Sequence, residues 1–328
     1  MPLEIEVPPG GKRQSGTVII GLINNMPDGA LRTTEAQFAS LLAEAAGTRP
    51  VRLRLSYLPE VPRDEPTREH LRTSYWPLEP LLADPPDALI ITGTEPRSSQ
   101  LEQEPYWDRI VELLEWTQTH AKPSVWSCLA AHAVVQALDG IRRERLPEKR
   151  FGVFKHQVTA DNPLLRGVGR SLATPHSRWN ELPVEALRVA GYTLASLSPE
   201  SGADCFLREA RGPLLCFQGH PEYESTTLLL EYRRDVGRFL RGEHTTWPNL
   251  PQGYFTPEAL ATLNAFRARA EAARDPSLFA DFPTADLAAN LGAAWRPSAV
   301  RIYRNWLDQL IDTSERTRAP QHASMMQS

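Results

Sequence analysis

Only three cysteines occur in the 328 residues, Cys128, Cys205 and Cys216. They are too few and too scattered for a disulfide scaffold or a tetrahedral metal cage, so at least one reads as core filler or as a reactive thiol. No apolar run approaches the roughly 18 residues that span a bilayer. The opening stretch MPLEIEVPPGGKRQSG lacks the apolar centre of a signal peptide, and a cytoplasmic protein without membrane contact is therefore expected. Excess positive charge is missing too. A net charge of -4 and a pI near 6.1 supply no broad field for nucleic acid, although the C-terminal third holds local Arg clusters. Internal repeats are absent. With 41% apolar residues the chain can bury one large α/β core or two smaller ones, and small-molecule chemistry is the class that remains.

TVIIGLINN is short, β-branched and closed by the turn-forming MPDG, which reads as a buried strand. TTEAQFASLLAEAA follows with apolar residues at helical spacing and Thr33 or Thr34 available as N-cap. VRLRLSYL alternates as a strand does, and ALIITG is a continuous apolar run suited to a central parallel strand. PYWDRIVELLEWTQTH predicts a helix, KPSVWSC a strand, and LAAHAVVQALDG a helix stopped by Gly140. GYTLASLS, CFLREA and PLLCFQGH predict short strands, with a helix from Thr226 to Leu240. The alternation implies a doubly wound, mostly parallel sheet flanked by helices, with the active site at the carboxyl ends of its strands. The expected organisation is a flexible leader at 1–16, a catalytic α/β domain at 17–242, a C-terminal loop and helical extension at 243–316 packing on it, and a disordered tail at 317–328.

Cys128 falls where a buried strand meets an amphipathic helix. The orphan N–H groups and dipole of a helix N-terminus favour a thiolate and can hold an oxyanion. QGHPEYE places His220 and Glu222 two residues apart after another apolar run. In an extended segment both would point the same way, letting the carboxylate orient an imidazole that serves the thiol. His132, one helical turn beyond Cys128, reads as structural, and Cys205 and Cys216 read as inert core. A Cys128, His220, Glu222 triad suits an acyltransferase or a glutaminase equally.

INNMP, ALIITG, EPYW, the Cys128 elbow, LPEKRFGVFKH, PHSRW, QGHPEYESTTLLLEYRRD, GYF and NWL together make the sequence resemble the homoserine O-acyltransferases, the homoserine transsuccinylases among them. That family has the class I glutamine amidotransferase-like fold, and the resemblance runs from about Val18 to Leu310. It implies that Cys128 takes the acyl group from acyl-CoA, that His220 is the general acid and base oriented by Glu222, and that homoserine attacks the thioester. It also implies that Lys149, Ser177 and Arg234 line the amino-acid site, with Glu231 the candidate partner of the substrate ammonium. A zwitterion needs a cation for its carboxylate and a carboxylate for its ammonium, and Glu231 and Arg234 at i,i+3 share a helix face. Backbone amides at Gly93, Thr94 and Leu129 are the candidate oxyanion donors. No bound cofactor or metal is required, acyl-CoA and homoserine are the expected small-molecule partners, a homodimer is implied, and the product would feed methionine or related sulfur assimilation.

The chain departs from the family pattern in three places. Where relatives read close to ITGAP followed by a Gly or Glu associated with donor choice, this chain reads ITGTEPR and offers Arg97. A guanidinium there can pair with the free carboxylate of a succinyl group, favouring succinyl-CoA over acetyl-CoA. Asp28 to Arg32 occupy a loop where a lysine is usual, and Leu129 replaces a usual Trp. These departures leave acetyl-CoA as donor, or serine or another amino alcohol as acceptor, as alternatives. A glutamine-hydrolysing subunit is an alternative of another reaction class, and a non-catalytic binding protein that keeps the fold is a third.

Overall fold

The computed structural model describes residues 3–318. Its strands are β1 (Leu3–Ile5), β2 (Val18–Ile23), β3 (Val51–Ser56), β4 (Ala88–Thr92), β5 (Ser124–Ser127) and β6 (Glu144–Val158). Then follow β7 (Ser171–Glu181), β8 (Thr193–Leu194), β9 (Ser196–Ser198), β10 (Gly202–Ala203), β11 (Cys205–Arg208) and β12 (Leu214–Phe217). Helices α1 (Asp28–Ala46), α2 (Glu65–Ser74), α3 (Leu78–Ala83), α4 (Trp107–Thr119) and α5 (Leu129–Asp139) occupy the first half. The second half holds α6 (Val184–Val189), α7 (Thr227–Leu240), α8 (Pro257–Ala273), α9 (Thr284–Ala288) and α10 (Arg296–Arg318).

Eight strands form the main sheet in the order β1-β3-β2-β4-β5-β12-β11-β8. Pairing is parallel from β1 through β12, and β11 and β8 close the far edge antiparallel. The apolar runs of β2 and β4 and the short β5 are buried throughout, because helices cover both faces. On one face Phe38, Leu41, Ile302 and Trp306 of α1 and α10 pack against Ile20, Leu53, Ile90 and Val125. On the other, Leu81, Ile110, Leu113 and Val134 pack against Leu89, Ile91, Trp126 and Cys216. Gly140 ends α5 in the left-handed region at φ 68°. Among the described residues no helix is long and apolar enough to cross a membrane.

Two local expectations are corrected. First, α1 begins at Asp28, not near Thr33 or Thr34. The amides of Ala30 and Leu31 already bond to Pro27 O, and the Asp28 carboxylate favours the helix N-terminus. The supposed Asp28–Arg32 loop is thus the first turn of a helix. Second, residues 3–5 of the segment expected as a flexible leader form β1 beside β3. VRLRLSYL alternates, yet Arg52 and Arg54 are buried, because β1 brings carboxylates to them: Glu6 Oε2 lies 2.7 Å from Arg54 Nε and Glu4 Oε2 3.1 Å from Arg52 Nε. LPEKRFGVFKH and PHSRW, which carry no clean alternation and for which no element was expected, pair as the antiparallel strands β6 and β7 of a second sheet ordered β10-β9-β6-β7.

Downstream of α7, α8 and α9 bury Phe266 and Leu287 against Leu228, Tyr232 and Val236. The α10 helix lies along α1, with Arg296 2.7 Å from Glu44. Apart from its first two residues, the tail expected over 317–328 lies outside the described residues.

Candidate active site

β5 ends at Ser127 and α5 starts at Leu129, so one residue must turn the chain. Cys128 does so at φ 53° and ψ -112°, a conformation costly for a residue with a Cβ. Bonds on either side hold it: its N–H donates to Phe217 O at 2.7 Å, and its carbonyl accepts from His132 N at 3.2 Å. Gly93 fits against this elbow because it has no side chain, since a Cβ there would stand 2.5 Å from Leu129 Cβ and 2.9 Å from Leu129 N. As an oxyanion donor Gly93 is corrected: its N–H donates to Ser127 O at 3.2 Å within the sheet. Thr94, beyond the strand, and Leu129, at the helix N-terminus, are the candidate donors left.

His220 follows β12 in a loop fixed from two sides. The Gly219 N–H donates to Asp204 Oδ1 at 2.9 Å, and the His220 N–H donates to Pro175 O at 2.8 Å. His220 Nδ1 lies 2.8 Å from Glu222 Oε1, both side chains being buried. A turn, not an extended strand, brings them together, with the Tyr223 N–H returning to His220 O at 3.2 Å. Burial pushes the imidazole down, but the Glu222 carboxylate and a charge and hydrogen-bond interaction with Cys128 outweigh it and hold His220 well above its ordinary value. Cys128, His220 and Glu222 are thus one constellation. Glu222 Oε2 and the Tyr303 hydroxyl of α10 are both buried without a hydrogen-bond partner. Burial and then the Glu222 charge push that hydroxyl up.

The β6–β7 register sets Phe151 opposite Ser177, and α7 passes alongside. Glu231 on α7 gathers the neighbours. Its Oε2 accepts from Ser177 Oγ and lies 3.5 Å from Lys149 Nζ, while its Oε1 accepts from the Tyr223 hydroxyl at 2.6 Å. Lys149 also reaches Asp235 at 3.5 Å and stands 4.0 Å over the Phe151 ring. Lys149, Ser177 and Glu231 therefore meet, whereas Arg234 stands at the exposed rim, its Nε 2.9 Å from Asp235 Oδ1. Sequence reasoning passed over Tyr223, Asp235 and Asp204. Tyr223 lies inside QGHPEYE and Asp235 directly follows Arg234, but nothing in their spacing shows which way they face.

A cleft of about 570 Å³ is lined by Asp28, Thr94, Glu95, Arg97, Glu104 and Tyr106 among others. Glu104 Oε1 accepts from the Arg97 and Ser98 amides at 2.6 Å each, which pins the backbone and leaves the Arg97 side chain exposed. His132 is buried with Nε2 3.0 Å from Gln218 Oε1, and burial pushes it down to about 3, so it is neutral. His156, His176 and Asp204 bring ligand-type atoms within 4.8 Å of one another. Both Asp204 oxygens already accept hydrogen bonds, from Gly219 N at 2.9 Å and Thr174 Oγ1 at 2.8 Å, and the Arg178 guanidinium donates to His176 at 3.2 Å. The buried Arg178 guanidinium beside the two imidazoles works against a cation, and the cluster serves as a prop for the His220 loop.

A family model described as homoserine O-succinyltransferase matches residues 11–316. A homoserine O-succinyltransferase of Rhodopseudomonas palustris is 45% identical over 291 residues, covering 89% of this chain and 87% of that protein. One from Bradyrhizobium japonicum is 40% identical over 310 residues, covering 93% and 94%. A solved glutamine amido transferase from Methylobacillus flagellatus superposes with TM-score 0.51 at 13% identity, over 90% of this chain and 95% of that one, which speaks to the fold alone.

Proposed function

This chain belongs to the homoserine O-succinyltransferase family, and we propose that it moves a succinyl group from CoA to the hydroxyl of homoserine through a thioester on Cys128. What supports the route is the placement of the Cys128 elbow and the His220–Glu222 pair beside a pocket whose charges suit a zwitterion. The Cys128 thiolate attacks the succinyl carbonyl. The amides of Thr94 and Leu129 hold the oxyanion, and the His220 imidazolium gives its proton to the departing CoA sulfur. Acylation removes the Cys128 charge, one of the interactions that keeps His220 protonated, so the imidazole is then better placed to act as a base.

Homoserine enters the β7–α7 side. Glu231 takes its ammonium, Lys149 and Arg234 its carboxylate, and Ser177 orients the amino-acid end. His220 removes the hydroxyl proton as the oxygen attacks the thioester, and expulsion of Cys128 restores the thiolate–imidazolium pair. On the donor side Arg97 pairs with the distal succinyl carboxylate, a partner that acetyl-CoA lacks. The product belongs to amino-acid biosynthesis.

Purified protein supplied with succinyl-CoA and homoserine releases CoA thiol and forms O-succinylhomoserine, with lower kcat/KM for acetyl-CoA and for serine. Ammonia release from glutamine with no CoA release would instead favour a hydrolase. Detection of both products by mass spectrometry decides between them.

A further inference from the structure

We propose that Tyr223 is a positioning residue that ties the amino-acid pocket to the catalytic base, so that binding of the acceptor steadies His220 for the second half-reaction. The proposal rests on Glu231 being the ammonium partner. Tyr223 is 7% exposed, and its ring lies parallel to the His220 ring, with centroids 4.3 Å apart and planes 15° from parallel. Its hydroxyl donates to Glu231 Oε1 at 2.6 Å. Its carbonyl accepts from Trp295 Nε1 at 2.7 Å, so the C-terminal extension anchors the backbone behind the ring. The phenol thus touches both the base and the carboxylate meant for the acceptor.

An arriving ammonium shares Glu231 with Ser177 and Tyr223 and competes most directly with Lys149, whose contact at 3.5 Å is the longest of the three. A short, charge-assisted hydrogen bond in a buried setting is strong, so fixing Glu231 fixes the phenol and, through the stack, the plane of the imidazole. Loading of Cys128 from acyl-CoA requires none of this, because no acceptor is present.

Tyr223→Phe keeps the stack and removes the link to Glu231. Single-turnover measurements should show discharge of succinyl-Cys128 to homoserine weakened, with the homoserine KM raised about tenfold or more, while loading by succinyl-CoA changes far less. Tyr223→Leu loses the stack as well and should slow both steps. Equal slowing of loading and discharge in Tyr223→Phe, or identical behaviour of the Phe and Leu variants, overturns the proposal. Glu231→Gln separates the two ideas. If it raises the homoserine KM while Tyr223→Phe does not, the coupling is wrong and the pocket assignment stands; if it leaves the homoserine KM unchanged, the assignment of Glu231 fails and takes the coupling with it.

Discussion

On the acceptor side of Cys128, Glu231 draws Ser177, Tyr223 and Lys149 onto one carboxylate, and Lys149 in turn reaches Asp235, all of it buried or half-buried. On the donor side the cleft wall is pinned through backbone amides on Glu104, while the Arg97 side chain stands exposed. The first region is a network in which each group satisfies another, so a single substitution there leaves a buried polar partner orphaned. The second presents a side chain that can be exchanged without disturbing its supports. On the proposed assignment, acceptor choice is built into the fold and donor choice into one position of a loop.

The sharpest way to break that contrast is at the elbow both sides share. Gly93→Ala drives a methyl to 2.5 Å from Leu129 Cβ. Overpacking of this kind costs about 1–3 kcal/mol and displaces the Leu129 amide, so both half-reactions should fall by more than about a hundredfold with a lowered Tm; stopped-flow CoA release and thermal melts check this. Glu222→Gln comes next. It removes the strongest interaction opposing the burial that drives His220 down, so the imidazolium deprotonates at lower pH. Because loading needs that imidazolium as acid, its alkaline limb should move to lower pH, with a loss of about a hundredfold at neutral pH. The pH profile of succinyl-CoA loading reads it. Glu231→Gln should act on one side only, raising the homoserine KM about 10- to 100-fold while loading changes little. The smallest effect belongs to the exposed side: Arg97→Ala should raise the succinyl-CoA KM by a few-fold and leave acetyl-CoA unaffected, as suits a solvated charge.

The same contrast governs what the sequence made legible. β2 and β4 announce themselves as apolar runs because both faces are covered, and the Cys128 elbow follows from the junction of β5 with α5. β1 escapes notice, since three residues carry too little pattern, and with it goes the burial of Arg52 and Arg54. The acceptor pocket depends on the register of β6 on β7, where charged residues interrupt any alternation, and on α7 crossing that ribbon. Lys149 and Ser177 could be named through the family resemblance, but their meeting on Glu231 is a tertiary fact. Tyr223 sits within the same motif as His220 and Glu222, yet its link between base and pocket appears only when the ring stack and the hydroxyl contact are seen together.

The central claim is the thioester on Cys128, and the most direct measurement is the intact mass of the protein after incubation with succinyl-CoA and no acceptor. The account predicts a gain of one succinyl group, absent in Cys128→Ala and discharged on adding homoserine. A gain that persists in Cys128→Ala, or product formation by that variant at the wild-type rate, would contradict it.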